Sequence, residues 1–196
     1  MPEAGFHVLA LSAECVALLE HLQLPDVRVL PLEELESGLA ELAEIKASRS
    51  LVEYYFTLSP VLPLFLFEQG RVAGPLYYLD TDACVYQSFE RIEELRGASA
   101  GITPHRFPED EREREAAGLY NVGFQYYAGD AECLKILRWW RDRCYEWCYD
   151  RMDTEGDRYA DQKYLERWPR LFKNVRAIAH PGANCSPWYV SRYQLS

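Results

Sequence analysis

The chain has 196 residues, of which 48% are hydrophobic and 27% charged, and its formal net charge is −10. That length suits one domain with a substantial core. The acidity argues against a nucleic-acid binder and against docking on anionic membranes, because both need clustered Lys and Arg.

The six cysteines follow no disulfide spacing, no apolar run reaches transmembrane length, and Met1 to Gly5 carries no basic leader region. The sequence therefore predicts a cytoplasmic protein with free thiols. Fourteen tyrosines and five tryptophans fit either a large aromatic core or an apolar ligand platform.

In chain order, Phe6 to Leu11 reads as a strand, and Ser12 caps a helix over Ala13 to Leu22 with Glu14 in its first turn. Val27 to Leu30 reads as a second strand, so strand–helix–strand opens a parallel α/β sheet. Ser48 to Gln69 reads as two helices joined at Ser59-Pro60. Gly74 to Leu79 is a buried strand ending in Asp80, Ser88 to Leu95 a short helix, and Ala100 to Thr103 another strand. The charge run from Pro108 to Glu115 reads as solvated helix or loop.

Tyr120 to Tyr127 is an aromatic strand interrupted by Gly123, and Asp130 caps a long helix to Tyr149. Cys133, Leu137, Trp140, Cys144, Trp147 and Cys148 fall on one stripe of that helix, which makes the cysteines core residues. A helix over Tyr159 to Arg167 and a strand over Val175 to Ala179 follow. The irregular tail runs from His180 to Ser196.

Four short motifs carry chemistry. In LYYLDTDACVY an apolar strand ends in Asp80-Thr81-Asp82, two carboxylates at a strand's carboxyl end. Ligands of open α/β sheets bind there, and hard oxygens suit a divalent cation on a diphosphate. HPGANCSPWY offers His180 as a metal ligand, with Gly182 and Trp188 in the same rigid loop. Asp161-Gln162 pairs an acceptor with an amide near a helix start, suited to sugar hydroxyls or to a plain N-cap. In YNVGF, Asn121 and Gly123 either bring backbone close to a ligand or form a bulge.

In this order the four motifs resemble the A-type-fold nucleotide-sugar glycosyltransferases. The resemblance covers Phe6 to Tyr193 and is to the retaining group typified by bacterial galactosyltransferases and glycogenin, and to glycosyl transferases of bacterial surface-polysaccharide clusters. It rests on Asp80 and Asp82, on Asn121 and Gly123, on Asp161 and Gln162, and on a histidine eight residues before a tryptophan, His180 with Pro187 and Trp188.

The resemblance implies a single α/β, Rossmann-like nucleotide-diphospho-sugar transferase domain with a mixed central sheet, spanning the whole chain. It implies Mn2+, or Mg2+, held by Asp80, Asp82 and His180, with Thr81 between the carboxylates. Asn121, Asp161 and Gln162 would hold the donor sugar, the last two at the catalytic centre. Arg49 would touch the donor, Gly182 would let the loop backbone approach the phosphates, and Trp188 would complete the site. The implied partners are a nucleotide-sugar donor and a glycan or lipid-linked acceptor, and the implied outcome is transfer with retention.

The chain departs from the family pattern at two places. It starts at what reads as the second strand, so the first strand–helix unit is expected to be lacking. In the last loop Gly182 follows His180 by two residues instead of three, and Ser186 stands where the family has a lysine. Two other readings stay open. One is a non-catalytic sugar-nucleotide-binding module of the same fold. The other is a phosphohydrolase using Asp80 as nucleophile and Asp82 as acid/base.

Overall fold

The structure is a computed structural model and describes residues 5–188. The chain forms two compact units, one up to Ser50 and one from Leu51 onward.

In the N-terminal unit β1 (Phe6–Ala10) pairs in parallel with β2 (Val27–Pro31) across the crossover helix α1 (Ala13–Leu22). Ser12 caps α1 through its hydroxyl, which accepts from the Cys15 N–H at 3.2 Å. The helices α2 (Leu32–Ser37) and α3 (Glu41–Ser48) complete the unit. Its core is small, built on Ala10, Leu30, Leu32, Leu35 and Leu42. These two strands form a sheet of their own instead of opening the larger one, a correction to the sequence reading. Paired with each other through one short crossover, they carry their own core.

The C-terminal unit begins with α4 (Leu51–Glu68), one continuous helix where two were expected. Pro60 and Pro63 each remove a backbone donor inside it. Burial of Leu58, Val61, Leu64, Phe65 and Leu66 overrides that local penalty.

β3 (Leu76–Leu79), β4 (Ala100–Pro104), β5 (Tyr120–Tyr127) and β6 (Val175–Ala177) form a sheet in the order β3-β5-β4-β6. β5 is antiparallel to both neighbours and β4 is parallel to β6, so the sheet is mixed.

The segment expected as a short helix at Ser88–Leu95 is two 3₁₀ turns, Phe89–Arg91 and Glu93–Leu95. The charge run is a solvated 3₁₀ stretch, Glu109–Ala117. α5 (Ala131–Glu146) is capped by Asp130, whose carboxylate accepts from the Cys133 N–H at 2.7 Å. It ends before Tyr149 because Trp147 turns extended, and the Trp147 carbonyl instead accepts the Tyr164 hydroxyl. The helix expected over Tyr159–Arg167 starts later, as a 3₁₀ turn Gln162–Arg167 leading into α6 (Trp168–Leu171). Ala160 sits in the left-handed region (φ 45°), which no continuous helix tolerates.

The sheet is buried on both faces. On one, Ala100, Ile102, Val122 and Tyr127 pack with Cys133, Leu137, Trp140 and Cys144 of α5 and with Leu64 of α4. On the other, Phe124 packs with Ile92, Leu95, Ile178 and Ala183 beside Tyr77 and Leu79. Opposite the single step from Ile102 to Thr103 on β4, β5 advances from Gln125 to Asn121. This bulge breaks the two-residue alternation of the strand. Val122 and Tyr120 consequently join Tyr127 on the α5 face.

Candidate functional site

β3 runs into Asp80, and the pairing with β5 continues one residue past it: the Asp80 N–H donates to the Gly123 carbonyl at 3.1 Å. The Asp80 carbonyl then accepts the Ala83 N–H, turning the exposed loop that carries Thr81 and Asp82. The surroundings of the Asp80 carboxyl raise its pKa, by partial desolvation first. The Asp82 charge adds to the rise, and a hydrogen bond from Tyr78 opposes it.

The β5 bulge is the second element. The Gly123 N–H donates to Asn121 Oδ1 at 2.7 Å, and the Phe124 carbonyl accepts the Thr103 hydroxyl at 2.8 Å, so side chains satisfy what the ladder leaves open. Gly123 lets these side chains come close to the backbone. A Cβ on it would lie 2.7 Å from Asn121 Oδ1, 3.3 Å from Asn184 Oδ1 and 3.3 Å from Asp80 Oδ2. Three polar side chains therefore converge over one glycine.

The tail supplies the third element. Asn184 Nδ2 donates to Asn121 Oδ1 at 2.7 Å. Asn184 takes the left-handed conformation (φ 55°), one of the few residue types that do so readily. The Trp188 indole N–H donates to the His105 carbonyl at 2.7 Å, and His105 Nε2 lies 3.2 Å from Asn121 Nδ2. His105 stacks on Phe107, and Arg114 lies over the rings of Phe107 and Trp188. Arg106 also ties the tail down by donating to the Ile178 and Ala183 carbonyls. Burial lowers the His105 pKa to about 4, aided by the Arg114 charge and opposed by the Gly118 and Leu119 backbone, so the ring is neutral near pH 7.

Beneath Asp80 lies Asp161, buried at 4% exposure, with its backbone carbonyl held by the Trp140 indole N–H at 2.9 Å. Desolvation pushes its carboxyl up to about 7, against a hydrogen bond from Ser59, and the Asp80 charge pushes further. The Tyr78 hydroxyl feels the charges of both Asp80 and Asp161, so the loop mouth and the buried acid are electrostatically linked.

The remaining predicted residues are placed differently. The Gln162 amide nitrogen donates to the Ala117 carbonyl at 3.0 Å. His180 is exposed, and its Nδ1 accepts the Gly182 N–H at 3.1 Å, folding the ring back on its own loop. Arg49 ends α3 in the N-terminal unit. Among the described residues, no three His, Cys, Asp or Glu side chains are grouped to hold a metal ion. An open polar depression lined by Trp147, Arg151, Met152, Asp153, Thr154 and Glu155 contains none of these residues. The convergence over Gly123 is chemically better defined.

The sequence motifs assign no role to Ser59, Tyr78, His105 or Asn184. Tyr78 was legible in principle, since it lies two residues before Asp80 and so shares its strand face. Ser59 reads locally as a helix start and Asn184 as loop filler, while nothing local marks His105.

No protein-family model matches the chain, and no solved structure matches it. Two proteins of Bacillus subtilis (strain 168) are similar to it. The uncharacterized protein YfnD is 31% identical over 191 residues, covering 96% of this chain and 61% of its own length. The uncharacterized protein YfnF is 26% identical over 202 residues, covering 99% of this chain and 65% of its own. The chain thus spans less than two thirds of the length of the curated relatives that it matches.

Proposed function

We propose that the chain carries the donor site of a metal-dependent glycosyltransferase that moves a sugar from a nucleotide diphosphate to a glycan or lipid-linked acceptor. The observation that carries this reading is the convergence of Asp80, Asn121 and Asn184 over Gly123 at the carboxyl end of β3. Acceptor and amide groups brought together at a strand end suit a polar, hydroxylated ligand.

Mn2+ or Mg2+ fits the Asp80–Asp82 pair, because such ions bind through one or two carboxylates plus substrate phosphates. When bound, the ion would neutralise charge on the leaving diphosphate. His180 fits less well: while Nδ1 accepts from Gly182, the neutral ring carries its proton on Nε2, so neither nitrogen offers a free lone pair. The residues themselves would orient the sugar, Asn121 by its amide and Asp161 as a buried carboxyl, protonated in part near pH 7, that keeps water out of the floor of the site. Retention stays an implication of the family resemblance.

The test is transfer or hydrolysis of a panel of nucleotide sugars with Mn2+. Turnover is expected from the parent chain and at least about a hundredfold loss in Asp82→Ala, as for removal of a charge-stabilising group. Full turnover by Asp82→Ala would sink the enzymatic reading. The engagement of His180 by its own loop favours the second reading, a binding module without turnover, for which calorimetry would record nucleotide-sugar binding in the absence of product.

A further inference from the structure

We infer that Asn184 is a ligand-contacting and positioning residue, and that with Asn121 and His105 it sets a fixed donor–acceptor pattern for neighbouring hydroxyl groups. The inference deepens the sugar-binding part of the preceding proposal and needs neither the metal nor the nucleotide.

One backbone group fixes the polarity of the whole network. The Gly123 N–H can only donate, so the Asn121 atom 2.7 Å from it must be oxygen. The Asn184 atom 2.7 Å from that same oxygen must then be its amide nitrogen. The other end of Asn121 is therefore NH2, and it faces His105 Nε2 at 3.2 Å, which must accept. His105 is thus neutral with its proton on Nδ1. That nitrogen is buried against the Gly118–Leu119 backbone and makes no well-formed hydrogen bond among the described residues.

The consequence lies in what remains free. Asn121 Oδ1 already accepts two hydrogen bonds, its full capacity, and Asn121 keeps one N–H to offer. Asn184 turns its own Oδ1 toward the same small space as Asp80 Oδ2, each 3.3 Å from the Cβ position of Gly123. The two acceptors lie side by side over Gly123, and the remaining Asn121 N–H is at the other end of the same amide, toward His105. A pair of adjacent hydroxyls on a sugar ring supplies the complement, because each hydroxyl both donates and accepts. The left-handed backbone of Asn184 points the same way. Glycine would fit there with less strain, and the asparagine side chain is what reaches Asn121.

The experiment is NMR on uniformly 15N-labelled chain, with free D-glucose and D-galactose as probes and 2-propanol as the single-hydroxyl control. The expected results are a His105 ring in the Nδ1–H form at neutral pH and shifts of the Asn121 and Asn184 side-chain amides with hexose but not with 2-propanol. Hexose binding should weaken about tenfold in Asn184→Ala, the loss of roughly one hydrogen bond to ligand. The near-isosteric Asn184→Asp should do the same, since it sets an acceptor against Asn121 Oδ1.

In Asn121→Asp a carboxylate would face His105 Nε2. The imidazolium should then persist near neutral pH, a change that a merely space-filling Asn121 would not produce. An Nε2–H tautomer in the parent chain, or hexose shifts that survive both Asn184 substitutions, would overturn the inference. So would the absence of any hexose shift. Loss of nucleotide-sugar binding with the hexose shifts intact would instead sink only the nucleotide reading.

Discussion

The two halves of β5 behave as different materials. From Phe124 to Tyr127 the strand pairs in register with β3, residue opposite residue, and Tyr127 sits fully buried above α5. Between Gln125 and Asn121 the register with β4 slips, and Asn121, the N–H of Asp80 and Thr103 satisfy the Gly123 N–H, the Gly123 carbonyl and the Phe124 carbonyl at the junction of the two halves. The regular half spends its polar groups on the ladder and leaves its side chains to packing. The bulged half leaves backbone groups for side chains to collect. Packing dominates the first half, and exchange of hydrogen bonds between backbone and side chains the second.

Substitutions at four positions would break or sharpen that contrast. Trp140→Ala, under the regular half, should cost about 3–5 kcal/mol in denaturant melts, since a fully buried indole and its bond to the Asp161 carbonyl are lost. In whatever fraction stays folded, the His105 tautomer should not change.

Asp161→Asn has the opposite sign. Its folded pKa is raised from 3.8 to about 7, so its contribution to stability is fully present below pH 3.8 and is lost as pH rises through 7. The variant should therefore be more stable than the parent at pH 8, by a few kcal/mol, on the order of 2–4. The gain should vanish by pH 4. A pH-independent difference would show that the buried carboxyl is not titrating in this range.

Gly123→Val, in the bulged half, should cost about 1–3 kcal/mol because its side chain meets Asn121 Oδ1. Nucleotide-sugar binding should fall far more than stability does, and the ratio of the two losses is the readout. Thr103→Val is the mildest, about 1 kcal/mol, for the hydroxyl that serves the Phe124 carbonyl. A value near zero would mean that the bulge does not need that bond.

The elements with strong local signals were legible in the sequence. α1 begins where Ser12 caps it, β5 spans Tyr120–Tyr127 as its aromatic run reads, and Asp130 starts α5. Where packing overrules local preference the sequence misleads, as at Pro60 inside α4 and at the left-handed Ala160 that delays the helix after it. At the site, the placement of Asp80 beside Asn121 and Gly123 follows from strand ends and a bulge-forming glycine. The participation of His105 and Asn184 does not, because it depends on a three-residue register slip that reverses which side of the strand Asn121 occupies. Two-residue alternation alone would have put it on the face of Tyr127.

The prolines of α4 have a consequence for how the chain acquires its structure. Two missing amides within eighteen residues leave this segment a poor helix in isolation, by roughly 3 kcal/mol for each proline. A synthetic peptide spanning Leu51–Glu68 should be coil in water. Its helical form is lent by its neighbours: Leu64 packs in the α5 core, and Glu68 meets Arg138 of that helix. In a refolding experiment α5 should gain amide protection first, and α4 should become ordered only on docking against it.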